Sequence, residues 1–397
     1  FFKQKTAYEI YQCDWSSDVC SSDLFKIFNT AAALDFGVAS LRDGYDASKP
    51  IQISKFTISD YKGQKRWLSL PEIMMYSSNI GSARMGMDLG RERQRQFLSR
   101  LGLLKAAPFD LPEVATPQIP NPWRDINVMT VAFGHGISVT PLNLVGGVTA
   151  VVNGGILRPV TLVKRPGEMP QGERVLTQRT SEQMRALMRL VVERGSGKAA
   201  NVPGYAVGGK TGTAEKIVKG RYHRDMRISS FVGAFPMNAP RFVVYAMLDE
   251  PKGNKATLGY ATAGWVVAPL VGKLVNQIAA IYGIPPVDEN APEFRDQIVG
   301  RWGFARNTVT GATYPAHIWK LHMDKIHEGL DVVDWGTKKD DEEWKSLVAP
   351  SRSVARLYLP GVECVAQVIS GVPPAPSTTL APGKTTTTLP GETTTTV

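Results

Sequence analysis

Cysteine and histidine are scarce in this chain, and their scarcity removes whole classes of chemistry. Three cysteines among 397 residues exclude a disulfide-rich scaffold, and Cys13 and Cys20 fall in a head segment that does not read as part of the fold, which leaves Cys364 alone. His135, His223, His317, His322 and His327 are too scattered to match any metal-ligand spacing, so neither a metal nor another cofactor is expected. A basic then apolar opening closed by small residues is also lacking, which argues against a signal peptide. Residues 126–157 carry no charge and are long enough to suggest a membrane span. They contain Pro141, Asn143, Asn153 and six glycines, however, so a buried core segment is expected instead. The net charge is +10, yet Lys and Arg are spread along the chain among acids, and no basic and aromatic stripe marks a nucleic-acid surface.

What is present fits a globular enzyme. An apolar content of 43% in 397 residues supports one large catalytic domain or two ordinary ones. Residues 26–36 have apolar side chains at helical spacing, with Gly37 as a stop. A second helical run covers residues 70–89 before Gly90, and a third covers residues 181–193, with Ser181 as the expected cap. Residues 205–218, 228–235 and 241–248 are rich in β-branched and aromatic residues between turn-forming stretches, and predict three consecutive antiparallel strands. A last helix over residues 264–282 should pack on that sheet. Alternating helices and strands of this kind predict an α/β or α+β enzyme.

The chain does not read as uniform. Residues 3–24 resemble a translated oligonucleotide adapter, so the natural sequence is expected to start near Phe25. Residues 25–298 form the expected catalytic domain, and the character changes beyond them. Residues 371–397 are dominated by Pro and Thr, bury too little apolar surface to order themselves, and are expected to be a disordered tail.

The run Gly208-Gly209-Lys210-Thr211-Gly212-Thr213-Ala214-Glu215 is the most informative local sequence, and two readings compete for it. Gly204, Gly209, Lys210 and Thr211 satisfy the spacing of a phosphate-binding loop, and residues 242–250 offer an apolar strand ending in Asp249 and Glu250. Such a loop must follow a buried strand and open a helix, yet the residues before Gly204 are polar and broken by Pro203, and residues 214–220 soon run into another strand. The rival reading is the Lys-Thr-Gly element of serine acyltransferases, which lies on a strand lining the active-site groove. On a strand, Lys210 and Gly212 face one way, and Thr211 and Thr213 the other. Gly212 would let a substrate backbone approach, and Lys210 would supply positive potential for a carboxylate and a developing oxyanion.

The acyltransferase reading requires a Ser-x-Asn element upstream, and Ser77-Ser78-Asn79 provides one. Ser77 can relay a proton to a leaving amine, and the Asn79 amide can both donate to and accept from a substrate peptide group. It also requires Ser-x-x-Lys, a nucleophile and its base one helical turn apart. Lys26 fits as the base, with a surface helix lysine as the alternative, but three residues before it stands Asp23. Ser21 and Ser22 are near, and a shift of one residue on a helix would swing a hydroxyl by about 100°. The nucleophile is therefore expected to be missing.

Residues 25–35, 133–142, 228–236 and 263–269, together with the ordered pair Ser77-x-Asn79 and Lys210-Thr211-Gly212-Thr213, resemble the transpeptidase domain of class B penicillin-binding proteins of the division or elongation type. The resemblance implies an α+β fold in which an antiparallel sheet flanked by helices joins a helical subdomain, here without its first strands. A sheet edge left uncovered in this way should weaken packing and favour association. The same resemblance implies a parent anchored in the inner membrane and acting in the periplasm on the D-Ala-D-Ala stem peptides of peptidoglycan. β-Lactams would be ligands, and a membrane glycosyltransferase and divisome or elongasome proteins would be partners. It makes Lys26 the general base, Ser77 and Asn79 the proton relay and substrate holder, and Lys210, Thr211, Gly212 and Thr213 the carboxylate and β-lactam site, with the Thr213 amide forming half of the oxyanion hole. Residues 309–320 resemble instead the end of a bifunctional class A penicillin-binding protein, so residues 299–370 are expected to be foreign. A β-lactamase or D,D-carboxypeptidase would use the same motifs, and a non-enzymatic penicillin sensor would share the fold. No chemistry is assigned to His135, read as a packing or turn residue, to Glu215, or to Tyr222, His223 and Arg224, expected in an exposed loop.

Overall fold

Nine consecutive residues from Phe25 to Ala33 are buried, so the first helix, α1 (Phe25–Asp35), has no solvent face and forms the axis of the fold. It ends where the sequence predicts, with Gly37 in the left-handed region at φ 65°. The computed structural model describes residues 22–53, 56–110, 114–163, 171–218, 221–292, 294, 298, 302, 351–359 and 362–370. The adapter-like residues 1–21 and the Pro/Thr-rich residues 371–397 lie outside them, as does most of the segment 299–350.

After α1 the chain forms short antiparallel pairs. β1 (Gly44–Asp46) pairs with β4 (Trp67–Ser69), and β2 (Ile51–Ile53) with β3 (Phe56–Ile58). The helical run over residues 70–89 is two helices, α2 (Leu70–Tyr76) and α3 (Asn79–Leu89). Ser77 interrupts them with left-handed backbone angles, φ 59° and ψ 45°, and Ser78 is extended and caps α3 by accepting from Gly81 N. Helix α4 (Arg91–Arg100) follows. The uncharged stretch folds mainly as two helices, α5 (Asp125–Val131), which buries Val128 and Val131, and α6 (Pro141–Val152), which is mostly buried, with His135 in the turn between them and its ring near Phe133. A two-residue pair, β5 (Ile156–Leu157) with β6 (Glu173–Arg174), leads into α7 (Gln178–Arg194).

Helix α7 starts three residues earlier than the apolar pattern suggested. Its cap is Thr177, which accepts from Thr180 N, while the Ser181 side chain is buried inside the helix and accepts from Gly154 N. The reason is tertiary, since Asp35 at the end of α1 accepts from Thr177 N at 2.8 Å and from Thr180 Oγ1 at 3.0 Å and so fixes where α7 begins.

Three strands then form the sheet predicted, β7 (Gly208–Val218), β8 (Arg221–Phe235) and β9 (Phe242–Asp249), antiparallel in that spatial order. Strand β7 starts at Gly208 because Gly204 and Ala206 adopt positive φ and turn the chain beforehand. Tyr222, His223 and Arg224, expected in a loop, belong to β8: Tyr222 pairs with Ile217 and His223 with Lys216, just past a bulge between Glu215 and Lys216 that lets the hairpin extend. The predicted last helix is divided at Val267 into α8 (Ala263–Val266) and α9 (Ala268–Ile281), with Pro269 in the first turn of α9, where its missing N–H costs nothing. By length and composition alone, residues Ala263–Ile281 would suffice to cross a membrane. Here Val271, Val275 and Ala279 pack on the sheet.

Strand alternation sorts the core into two layers. Val232, Ala234, Val243 and Tyr245 face a large cluster with α1 and α7, whereas Phe231, Phe235, Phe242 and Val244 face α9. The result is an α+β sandwich with helices on both faces of an antiparallel sheet. Residues from Lys320 onward belong to a separate compact unit. In it, β10 (Ser351–Leu359) pairs antiparallel with β11 (Val362–Ser370), which holds Cys364.

Candidate active site

The first turn of α1 carries Lys26, which the sequence predicts to be a base. Lys26 is 0% exposed and is not a surface lysine. Its Nζ donates to Ser77 O at 2.9 Å, to Ser77 Oγ at 3.0 Å and to Asn79 Oδ1 at 2.7 Å, and it pairs with Asp23 in the preceding 3-10 turn, Ser22–Leu24. Four oxygens thus compete for three protons, which leaves the ammonium no freedom to leave the groove. Asp23 stands three residues before Lys26, the place a nucleophile would occupy.

The Ser77-Ser78-Asn79 turn reaches Lys26 because the helix breaks there. A capping box holds α2, with Ser69 N donating to Glu72 Oε2, and Arg66 clamps the same carboxylate from outside at 2.7 Å. At the other end of the turn, Asp60 accepts from Ser78 Oγ at 2.8 Å, Asn79 N at 2.6 Å and Ile80 N at 3.0 Å. Nothing in the sequence pointed to Asp60. It lies 19 residues before Asn79, in a stretch with no motif around it.

The third part comes from β7. Residues 208–218 are a strand rather than the opening of a helix, so Lys210 and Thr211 sit in the geometry that the acyltransferase motif requires and a phosphate loop does not. The predicted alternation holds. Lys210 donates from Nζ to Ser77 Oγ at 2.7 Å on one side, while Thr211 Oγ1 meets Ser196 Oγ at 2.7 Å and Thr213 Oγ1 accepts from Ala263 N at 3.2 Å on the other. The close approach that Gly212 allows is to the turn before α1: a Cβ there would lie 2.8 Å from Leu24 Cγ and 2.8 Å from Ser230 Oγ. Ser196, two residues past the end of α7, is a second neighbour that no local motif singles out.

Lys26 and Lys210 therefore converge on the Ser77 hydroxyl, and Asn79 joins them through its amide oxygen on Lys26. Ser77 Oγ accepts from both lysines, which fills its two lone pairs when both are charged and turns its own proton elsewhere. Lys210 is 0% exposed, and burial pushes its ammonium down to about 7, with Asp23 opposing the shift and Lys26 adding to it. A group poised near neutrality can hand a proton to Ser77 or take one from it. Among the described residues no cluster of His, Cys, Asp or Glu could hold a metal.

A strand-borne lysine and a helix-borne lysine meeting at a Ser-x-Asn turn, beneath a sheet covered on both faces, is the architecture of the acyltransferases that penicillin inhibits. The profile of the penicillin binding protein transpeptidase domain matches residues 5–272, and the chain belongs to that family. Over 270 residues it is 42% identical to the probable peptidoglycan D,D-transpeptidase FtsI of Caulobacter vibrioides, covering 66% of this chain and 46% of that protein. Stage V sporulation protein D of Bacillus subtilis is 34% identical over 278 residues, covering 66% of this chain and 42% of its own length. The chain thus spans less than half the length of these two curated relatives. Among solved structures, the apo transpeptidase domain of Burkholderia pseudomallei penicillin-binding protein 3 aligns at a TM-score of 0.62 with 31% identity, over 68% of this chain and 81% of that one. Penicillin-binding protein 3 of Mycobacterium tuberculosis in complex with ampicillin aligns at 0.63 with 26% identity, over 70% of this chain and 65% of that one.

Proposed function

We propose that the chain is the catalytic part of a class B peptidoglycan D,D-transpeptidase whose nucleophile position is filled by a carboxylate, so that it recognises β-lactams and D-Ala-D-Ala stem peptides without being acylated by them. The meeting of Lys26 Nζ and Lys210 Nζ at Ser77 Oγ, with the Asn79 amide oxygen on Lys26, carries this reading, because it brings together the proton-moving groups that acyl transfer needs. With a serine at the Asp23 position, its hydroxyl would add to the penultimate D-Ala carbonyl after losing its proton to Lys26. Terminal D-Ala would leave as an amine, protonated through Ser77, and the resulting ester would pass to an amine on a second strand and restore the hydroxyl. Asp23 has no hydroxyl to offer, and its pairing with Lys26 occupies the base. Lys210, Thr211, Gly212 and Thr213 would receive the substrate carboxylate, with the Thr213 amide stabilising the oxyanion.

In this reading the parent protein is a membrane-anchored enzyme of the periplasmic face that works beside a glycosyltransferase and divisome or elongasome proteins. Residues 1–24 would derive from an adapter, residues 299–370 from a class A relative, and residues 371–397 would be a tail. Reading the genomic frame across residues 24–25 and 290–320 tests that division.

Labelling with a fluorescent penicillin tests the function. The chain as it stands should show no covalent band on a denaturing gel, and Asp23→Ser should restore at most partial labelling. A covalent band on the unaltered chain would overturn the reading. Crosslinked dimers rather than trimmed monomers, from an intact relative given stem peptides, would separate transpeptidase from carboxypeptidase.

A further inference from the structure

Asparagine can present its amide either way round, and only one orientation lets it serve Lys26. In this structure Asn79 Oδ1 accepts from Lys26 Nζ at 2.7 Å, while Asn79 Nδ2 donates to Ser59 O at 3.0 Å. The second bond selects the first, since a flipped amide would point NH2 at an ammonium and a carbonyl oxygen at another carbonyl oxygen. Ser59 is held in place by its neighbour. Asp60 gathers Ser78 Oγ, Asn79 N and Ile80 N onto one carboxylate, at 2.8, 2.6 and 3.0 Å. These donors include the first two backbone amides of α3, which have no partner inside their own helix. A half-buried carboxylate from a segment remote in sequence thus satisfies the helix start and fixes the backbone on which Ser77 and Asn79 turn.

We propose that Asp60 is a positioning residue for the acyl-transfer site: through the Ser59-Asp60 segment it fixes the Asn79 amide orientation and the αL turn that aims Ser77 Oγ at Lys26 and Lys210. The inference rests on the functional reading only for what the groove binds. The geometry itself belongs to the free chain. Two alternative roles lead to different expectations. A purely structural cap would lower stability when removed and leave the Asn79 side chain as it is. A positioning residue would also change the environment of that side chain in molecules that remain folded.

The test uses Asp60→Asn, Asp60→Glu and, as a control for loss of a helix cap remote from Asp60, Thr177→Ala, each in the full chain. Side-chain amide resonances of Asn79, assigned by nitrogen-15 labelling, are followed without ligand in conditions where every variant is folded. Asp60→Asn should shift both Asn79 amide protons and speed their exchange with solvent by about tenfold or more. Asp60→Glu should return them part of the way, and Thr177→Ala should lower the melting temperature while leaving them near their original positions. Unchanged Asn79 resonances in folded Asp60→Asn would overturn the proposal, as would an equal shift in Thr177→Ala. A separate arm titrates each variant with a penicillin and reads non-covalent affinity, where Asp60→Asn should weaken binding by about tenfold. If no variant binds penicillin, the functional reading fails and the resonance result still decides the role of Asp60.

Discussion

The two walls of the groove are built by different means. The Ser77–Asn79 wall is a break between two helices, held open by polar contacts from elsewhere: Asp60 on its outer side, Lys26 and Lys210 on its inner side. The Lys210–Thr213 wall is a strand held by its ladder to β8 and by contacts too close for a larger residue. The contrast teaches that such a site can combine one wall whose position is set by packing with another whose orientation is set by a few hydrogen bonds. Bulk should break the first, and loss of single polar atoms should disorganise the second.

The largest effect is expected where packing decides. A Cβ at Gly209 would lie 2.5 Å from Val232 O and 2.6 Å from Phe231 Cε1, so Gly209→Val must push β7 off its neighbour. The variant should lose more than about 4 kcal/mol and be recovered mostly unfolded, as judged by chemical denaturation. A chain with near-parental stability would show that the strand wall yields more than its geometry allows.

Next comes the anchor at the start of that strand. Arg189, buried in α7, donates to Val207 O at 2.7 Å and to Asn201 Oδ1 at 2.9 Å, and pairs with Glu193 and Glu289. Glu289 in turn accepts from Gly204 N and Ala206 N. Arg189→Met keeps most of the volume and leaves these oxygens without their cation, so a loss of about 3–5 kcal/mol is expected in urea unfolding. This cost would show that even the packed wall depends on polar contacts at its entry.

The smallest effect concerns the ammonium between the walls. Lys210 has its pKa lowered to about 7 by burial, whereas an unfolded lysine titrates near about 10.4. Between those values the unfolded chain holds the extra proton, so stability should rise with pH through that window. Below it both forms are protonated, and the buried charge imposes its full penalty. Unfolding free energies measured from pH 6 to 9 should rise by roughly 1 kcal/mol per pH unit above neutrality, a slope that Lys210→Met should flatten. An unchanged slope in Lys210→Met would mean that another group titrates there.

These differences also explain what could be read from the sequence. Strands β7 to β9 were legible because β-branched and aromatic runs alternate with turn residues, and α1 because its apolar spacing ends at Gly37. Lys26, Ser77, Asn79 and Lys210 could be singled out because the chemistry proposed for them requires fixed short spacings, and the fold brings them together. The helix break at Ser77 was not legible, since the lysine Nζ groups that hold its carbonyl and hydroxyl oxygens arrive from α1 and β7. The true cap of α7 was hidden for the same reason: Thr177 and Ser181 both carry hydroxyls, and Asp35, far away in sequence, chooses between them. Asp60 and Glu289 gave no local signal because each acts on residues it meets only in the folded chain.

The complete burial of Lys26 and Lys210 has a practical consequence. Amine-reactive esters should modify the exposed lysines quickly and reach these two only when the groove opens. Peptide mapping after timed exposure to such a reagent would therefore use the site's own lysines as a clock for its breathing.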